Sequence, residues 1–321
     1  MVGFKYSRLF NPRAYARFGV SLANRYVLDK LERLLIPIPD EPLRHPPIFF
    51  LGAPRSGSTL MTQVITDALD LGYISNRHCQ WFGAPALAER LLHPTAGRPI
   101  SDYRSVQGVT KGSYAPAECG EWWYRFFRRR PPYVTLNEVD PRKMRRFRQS
   151  VAALTNAFDR PILFKNLYAS LRIQAIAHYL PESLFIVTHR DEVDNGHSLL
   201  DARYQRFSNY EAWLSVEPPQ TEVLKTLPVH QQVIEQIRHI HEAIERDLEI
   251  GRVPASRRLD LSYEEFCANP SRSVGALLAF LASNGYKAEL RGDVPLRFKR
   301  GTEIRIDSTV YVAMADYAQR S

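Results

Sequence analysis

The chain has 321 residues, enough for one large α/β domain or two ordinary ones, and its 45% hydrophobic and 24% charged residues exclude long disordered stretches. Lys and Arg outnumber Asp and Glu by 43 to 34, a formal net charge of +9, which favours an anionic partner: a nucleotide, a polyanionic chain, a nucleic acid or a membrane surface. Cys79, Cys119 and Cys267 show no metal-ligand or disulfide spacing, and no apolar run approaches the roughly 18 residues of a membrane span, so a cytoplasmic, metal-free protein is expected.

In chain order, residues 1–45 read as a helical extension with a Pro-rich linker, and residues 46–321 as a single domain. In the extension Arg13, Arg17, Arg25, Lys30 and Arg33 alternate with Phe18, Leu22, Tyr26, Val27, Leu31, Leu34 and Leu35. The apolar positions recur at helical spacing, so they predict an amphipathic helix. Its stripe either packs on the domain, the commoner outcome, or makes peripheral contact with a membrane. Pro37-Ile-Pro-Asp-Glu-Pro42 and Pro46-Pro47 then stop the helix, because each Pro lacks a donor. Ile48-Phe-Phe-Leu51 is an apolar run without alternation, as a parallel strand covered on both faces requires. Similar runs stand at Ile162–Phe164, Leu184–Thr188 and Leu259–Leu261. Between them lie helical patterns such as Val233, Ile237, Ile240, Ile244 and Leu248, or Val274, Leu277, Leu278 and Leu281. Strands interleaved with helices predict an α/β fold, a central parallel β-sheet flanked by crossover helices.

Directly after the first run, Gly52-Ala-Pro-Arg-Ser-Gly57-Ser58-Thr59 nearly matches the G-x4-G-K-[ST] loop that binds nucleoside triphosphates. Glycines let backbone amides turn inward, and the N-terminus of the following helix adds partial positive charge toward an anion. Ser58 occupies the place of the Lys that reaches the β- and γ-phosphates, and a cation, Arg55, lies inside the loop instead. Without that Lys, Mg²⁺-dependent triphosphate hydrolysis is disfavoured, whereas an Arg can fork two donors onto one phosphate.

Pro54-Arg55-Ser56-Gly57-Ser58-Thr59-Leu60 resembles the 5′-phosphosulfate loop of sulfotransferases that use 3′-phosphoadenosine-5′-phosphosulfate (PAPS). The resemblance implies the P-loop-like sulfotransferase fold, of the bacterial or carbohydrate-type branch rather than the cytosolic small-molecule branch. It implies PAPS as co-substrate, 3′-phosphoadenosine-5′-phosphate (PAP) as product, and no metal. On it, Arg55, Ser56, Gly57, Ser58 and Thr59 cradle the 5′ end of the donor. A second stretch, Leu184-Phe-Ile-Val-Thr-His-Arg190 with Ser198 eight residues on, resembles the family's 3′-phosphate motif, which implies that Arg190 and Ser198 bind that phosphate. Glu192 stands where the family usually has Pro, and Asp191 and Asp194 bring further negative charge; these acids either point away or favour a helix N-terminus. Phe164-Lys165-Asn166, with Leu167 in place of a usual Pro, Tyr263-Glu264 with Pro270, and Trp213 with Pro218-Pro219 are further likenesses. Phe298-Lys299-Arg300-Gly301 is similar to the basic loop that closes on the 3′-phosphate. They add Lys165, Tyr263, Lys299, Arg300 and Gly301 to the candidate residues.

In-line sulfuryl transfer needs a base near the acceptor hydroxyl and a cation at the bridging oxygen. Arg55 and Ser58 or Thr59, assisted by Lys165, meet the second need. Pro116-Ala-Glu118-Cys-Gly-Glu121-Trp122-Trp123 resembles an acidic Pro-x-Glu segment of several sulfotransferase branches. It puts Glu118 first and Glu121 second as base, on one side of a helical turn, beside aromatic rings able to desolvate a carboxylate and raise its pKa. His serves as base in other branches, so His78 and His93 stay open, His78 also as an acceptor contact. Trp122 and Trp123, with Tyr124, Phe126 and Phe127, either line an acceptor pocket or pack in the core. The basic residues of positions 125–148 (Arg125, Arg128, Arg129, Arg130, Arg142, Lys143, Arg145, Arg146, Arg148) either cradle an acidic glycan or form a solvated face. The acceptor, a hydroxyl on a glycan, lipid or small molecule, stays open, and nucleic acid is not an expected partner. A kinase or nucleotide hydrolase with an altered loop is the alternative, but it calls for a Walker-B Asp where the strand has His189-Arg190. A basic nucleic-acid- or membrane-binding module leaves Arg55 and Arg190 unexplained.

Overall fold

A computed structural model describes residues 12–36, 42–92, 101–105, 108–301 and 303–320. In chain order the elements are α1 (Pro12–Ala23), a π-turn (Asn24–Leu28), α2 (Asp29–Leu35), β1 (Pro47–Gly52), α3 (Ser58–Ala68), β2 (Gly72–Tyr73), α4 (Asn76–Gln80), α5 (Pro85–Leu92), α6 (Gly120–Trp123) and α7 (Pro141–Phe158). There follow β3 (Ile162–Lys165), α8 (Ile173–Tyr179), β4 (Leu184–His189), α9 (Glu192–Phe207), α10 (Thr221–Leu224), α11 (Val229–Ile250), β5 (Arg258–Ser262), α12 (Tyr263–Ala268), α13 (Pro270–Ser283) and α14 (Ser308–Arg320).

The strands form one sheet in the order β2-β3-β1-β4-β5, and every pairing is parallel. β1 is central and buried at every position. Its side chains alternate between two cores: Ile48 and Phe50 join Met61, Val64, Ile65, Val274 and Leu277 on one face, and Phe49 and Leu51 join Phe147, Phe164, Ile240 and Ile244 on the other. This two-sided cover explains the unbroken apolar run. The stripe Val233, Ile237, Ile240, Ile244 and Leu248 lies buried along α11. α14 packs on α9 and α11 through Met314, Leu199, Leu200, Val233 and Ile234. Among the described residues no helix is long and apolar enough to cross a membrane.

Trp122 and Trp123 are 0% and 1% exposed. Trp122 stacks on Phe164 at 5.3 Å, and Trp123 meets Phe49 edge-on at 6.0 Å. They belong to the core, which corrects the expectation that they line an acceptor pocket: their rings are spent on the sheet face. The basic run is likewise divided rather than gathered into one cradle. Arg125 and Arg146 bind Asp29, Arg128 binds Glu138, Arg130 binds Glu217 and Arg148 binds Glu182. Arg142, Lys143 and Arg145 stay exposed on α7.

The N-terminal helices pack on the domain, but through their polar face. Asn24 accepts from the Gly83 amide (2.8 Å) and donates to the Gln80 carbonyl (3.0 Å). A Glu32 oxygen accepts from the Ala86 (2.8 Å) and Leu87 (3.1 Å) amides. Asp29 receives Arg125, Arg146 and Arg33. The π-turn, in which the Asp29 amide donates to the Asn24 carbonyl five residues back, brings Asn24 and Asp29 onto the same buried side. Gly83 permits the approach, since a Cβ there would stand 2.0 Å from the Asn24 carbonyl oxygen. Burial lifts the Glu32 carboxyl to about 7, against the pull of its two backbone amides. The apolar stripe expected to make this contact faces solvent instead: Phe18, Leu22, Tyr26, Val27, Leu31, Leu34 and Leu35 are all exposed. Residues 37–41 of the linker lie outside the described residues, and Pro47 begins β1.

Candidate active site

The site grows from the loop between β1 and α3. Gly57 adopts φ 87° and caps α3, a left-handed conformation that suits glycine, and a Cβ on it would lie 2.1 Å from the Tyr263 ring. Met61 makes the first helical hydrogen bond, to the Gly57 carbonyl (3.1 Å). The amides of Ser58, Thr59 and Leu60 therefore have no partner within the helix, and the α3 dipole adds to them. Ser56 is fully buried and its hydroxyl pairs with Thr188 Oγ1 at 2.8 Å. Thr188 in turn donates to the Leu51 carbonyl, and Ser170 Oγ accepts from the Gly52 amide. The Ser56 hydroxyl thus fastens the loop to β4.

Arg55 and Arg190 converge on this loop. Arg55 Nε donates to Ser198 Oγ at 3.1 Å, and Arg190 Nη1 donates to the Arg55 carbonyl at 2.9 Å. With its amide nitrogen turned toward the loop, Asn195 donates to the Pro54 (2.9 Å) and Arg55 (3.0 Å) carbonyls. The Arg190 guanidinium lies 4.6 Å from the centre of the Tyr263 ring, and its Nε is buried without a partner. Burial, then the neighbouring charge of Arg190, lowers the Arg55 pKa. Among the described residues no carboxylate is within ion-pairing distance of either guanidinium. Two such cations beside free helix amides make a site that an anion would complete.

The acids after Arg190 are occupied elsewhere. Asp191 caps α9 by accepting from the Asp194 amide, Glu192 binds Arg238 at 2.7 Å, and Asp194 binds Arg300 at 2.9 Å. Arg300 is therefore held at the first turn of α9, with Lys299 and Gly301 exposed beside it. None of these three lines the pocket described next.

A pocket of about 670 Å³ opens where β1, β3 and β4 end, the carboxyl edge at which open α/β sheets bind ligands. Arg55, Gly57, Ser58, Thr59, Lys165, Arg190 and Tyr263 line one part of it. Cys79, Glu118, Cys119, Tyr168, Leu214 and Glu217 line another. Lys165 Nζ donates to Glu118 Oε1 at 2.5 Å, and Asn166 Nδ2 donates to the Glu118 carbonyl at 3.1 Å. The Lys-Asn pair at the end of β3 thus sets both the carboxylate and the backbone of Glu118. Gly108, at φ 85°, brings its loop over Thr59 and Lys165; no sequence signal marked it, nor Asn195 beneath the loop.

Two candidate bases fall away from the pocket. Cys119 turns left-handed (φ 48°) between Glu118 and α6, so Glu118 and Glu121 do not share a helical turn. Glu121 is exposed and binds Arg25 of the N-terminal extension at 2.8 Å. His78 is buried in α4 with both ring nitrogens engaged, Nδ1 by Ser75 (3.0 and 2.9 Å) and Nε2 by Glu89 (3.1 Å). This rules it out as base and as acceptor contact, while His93 lies outside the described residues. Among the described residues no group of three or more His, Cys, Asp or Glu side chains could hold a metal ion.

A parallel sheet with a loop suited to an anion after its central strand, one arginine in that loop and another directly after β4, defines a P-loop-like α/β fold. Residues 46–284 match the Sulfotransferase family, and the chain belongs to that family. Among solved structures it is similar to sulfotransferase STF9 from Mycobacterium avium, with 16% identity over 98% of this chain and 79% of that one, at a TM-score of 0.54. Sulfotransferase STF1 from Mycobacterium tuberculosis H37Rv matches at 13% identity over 94% and 80%, with a TM-score of 0.48. A sulfotransferase from Alicyclobacillus acidocaldarius matches at 13% over 86% and 92%, with a TM-score of 0.42. At 16% identity the likeness to the Mycobacterium avium structure is one of fold. No curated protein matches the chain. Family membership makes sulfuryl transfer the general reaction and implies PAPS as its co-substrate.

Proposed function

We propose that the protein transfers a sulfuryl group from PAPS to a hydroxyl of a glycan, lipid or small molecule, and that it works in the cytoplasm. The observation that carries this reading is the convergence of Arg55 and Arg190 on the loop before α3, with the Arg190 Nε buried and unpartnered. Arg55 and the amides of Gly57, Ser58 and Thr59 would hold the 5′-phosphosulfate. Arg190 and Ser198 would hold the 3′-phosphate, Tyr263 would back Arg190, and Lys299, Arg300 and Gly301 would close over that end. When bound, PAPS supplies the sulfuryl group and a phosphate leaving group.

Glu118 is assigned as the base, taking the proton of the acceptor hydroxyl on the carboxylate oxygen that Lys165 does not hold. Lys165, with a 5% exposed side chain, balances the carboxylate and reaches the same Gly108 as Thr59. It is therefore suited to offset negative charge gathering at the phosphate end of the pocket. PAP lacks the transferable sulfuryl group, so it tests the binding half of the proposal alone. PAP should raise the melting temperature and ATP with Mg²⁺ should not, and radiolabelled PAPS should label a hydroxyl compound in a metabolite or glycan extract. Stabilisation by ATP with Mg²⁺ and none by PAP would put a kinase-like activity in its place.

A further inference from the structure

The N-terminal helices carry a second surface, independent of the nucleotide pocket. Their buried side is engaged through Asn24, Asp29 and Glu32, with Leu28 packed on the core. Their outward side is apolar, with Phe18 63%, Tyr26 64% and Leu34 78% exposed. Such a contiguous apolar face in a folded chain marks something it binds. Charge identifies the partner. In residues 18–36 the only acids, Asp29 and Glu32, are buried, whereas Arg25, Lys30 and Arg33 are exposed, Arg25 and Arg33 with one donor on Glu121 and Asp29. Lys30 is exposed among the apolar residues. Next to α2, the helix α7 is joined to Asp29 through Arg146, and its neighbours Arg142, Lys143 and Arg145 are exposed.

We infer that this face docks the protein on an anionic lipid surface, with the aromatic and aliphatic residues entering the headgroup boundary and Lys and Arg meeting lipid phosphates. A second copy is the poorer occupant, because a two-fold contact would set the same cationic surface against itself. The helices are tied to the pocket wall: Asn24 bonds Gln80, the neighbour of pocket residue Cys79, and Arg25 bonds Glu121, three residues from Glu118. Docking would thus hold that wall next to the lipid.

Flotation of the full chain with vesicles tests this. The protein should float with equal parts phosphatidylcholine and phosphatidylglycerol, stay behind with phosphatidylcholine alone, and be released by salt. Tyr26→Ser combined with Leu34→Ser, and separately Lys30→Glu, should reduce the floated fraction roughly tenfold, with melting temperature and the response to PAP unchanged. A wild-type protein that ignores both vesicle types, or a double variant that floats like wild type, overturns the inference. So does a dimer, seen by light scattering, that the double variant dissolves without any vesicle binding. The response to PAP reads the catalytic proposal separately, so the two can fail independently.

Discussion

The Arg190 guanidinium donates to the main-chain carbonyl of Arg55 at 2.9 Å, so the second cation of the site also fixes the backbone that presents the first. Arg190 therefore has two tasks, charge toward an anion and shape of the loop. Arg190→Ala should weaken PAP binding about 100-fold, the worth of one or two charge-assisted hydrogen bonds. Arg190→Lys keeps the charge but not the fork, and should recover only part of the loss. Isothermal calorimetry with PAP checks both; equal affinity in all three proteins would remove Arg190 from the nucleotide site.

The contact between Lys165 and Glu118 makes a separate prediction about turnover. Glu118→Gln preserves size and the Lys165 contact but cannot take a proton, so kcat should fall by roughly 10²–10⁴-fold while PAP affinity stays nearly unchanged. Lys165→Ala should lower kcat by about 10²-fold and weaken PAP binding as well. Single-turnover assays alongside PAP titration separate the two effects. Full turnover in Glu118→Gln would assign the base elsewhere.

What the sequence disclosed depended on the range of the interaction. β1, β3 and β4 were legible because strands covered on both faces read as continuous apolar runs; β2, two residues long, offers no such run. Arg55, Gly57 and Arg190 stand in short motifs whose spacing is local, and the chain does bring them together. Glu121 and His78 were misplaced because their surroundings are set at a distance: a left-handed Cys119 redirects the first, and Glu89 across the α4–α5 turn engages the second. The extension shows the limit most clearly. Helical period was readable, but the inward side was decided by Gly83, Ala86, Arg125 and Arg146, the last 117 residues from its partner Asp29.

Gly57 lies where backbone conformation and packing agree. Gly57→Ala would put a methyl 2.1 Å from the Tyr263 ring at φ 87°, forcing either the loop or the ring to move. The strained conformation and the displacement should cost about 1–3 kcal/mol in urea unfolding and abolish the melting-temperature rise with PAP. In a Tyr263→Ser background the clash is gone but the strain is not, so Gly57→Ala should there cost less than it does in the wild-type protein. A Gly57→Ala protein with wild-type stability and PAP response would show that the loop is not held against Tyr263.

Glu32 gives the extension a pH signature. Its carboxyl, 4% exposed, is raised by burial from an ordinary 4.5 to about 7 in the folded chain. Between those values the folded chain binds more protons than the unfolded one, so stability falls as pH rises through the window and levels off above it. The full effect is up to about 3 kcal/mol by the linkage between pKa and free energy. Glu32→Gln keeps an oxygen to accept from the Ala86 and Leu87 amides but cannot ionise. Urea unfolding of both proteins from pH 5 to pH 8 should therefore show the difference moving in the variant's favour as pH rises, most steeply below neutrality. A difference that stays flat across that range would mean that Glu32 is ionised throughout, with Arg125 rather than a proton neutralising it.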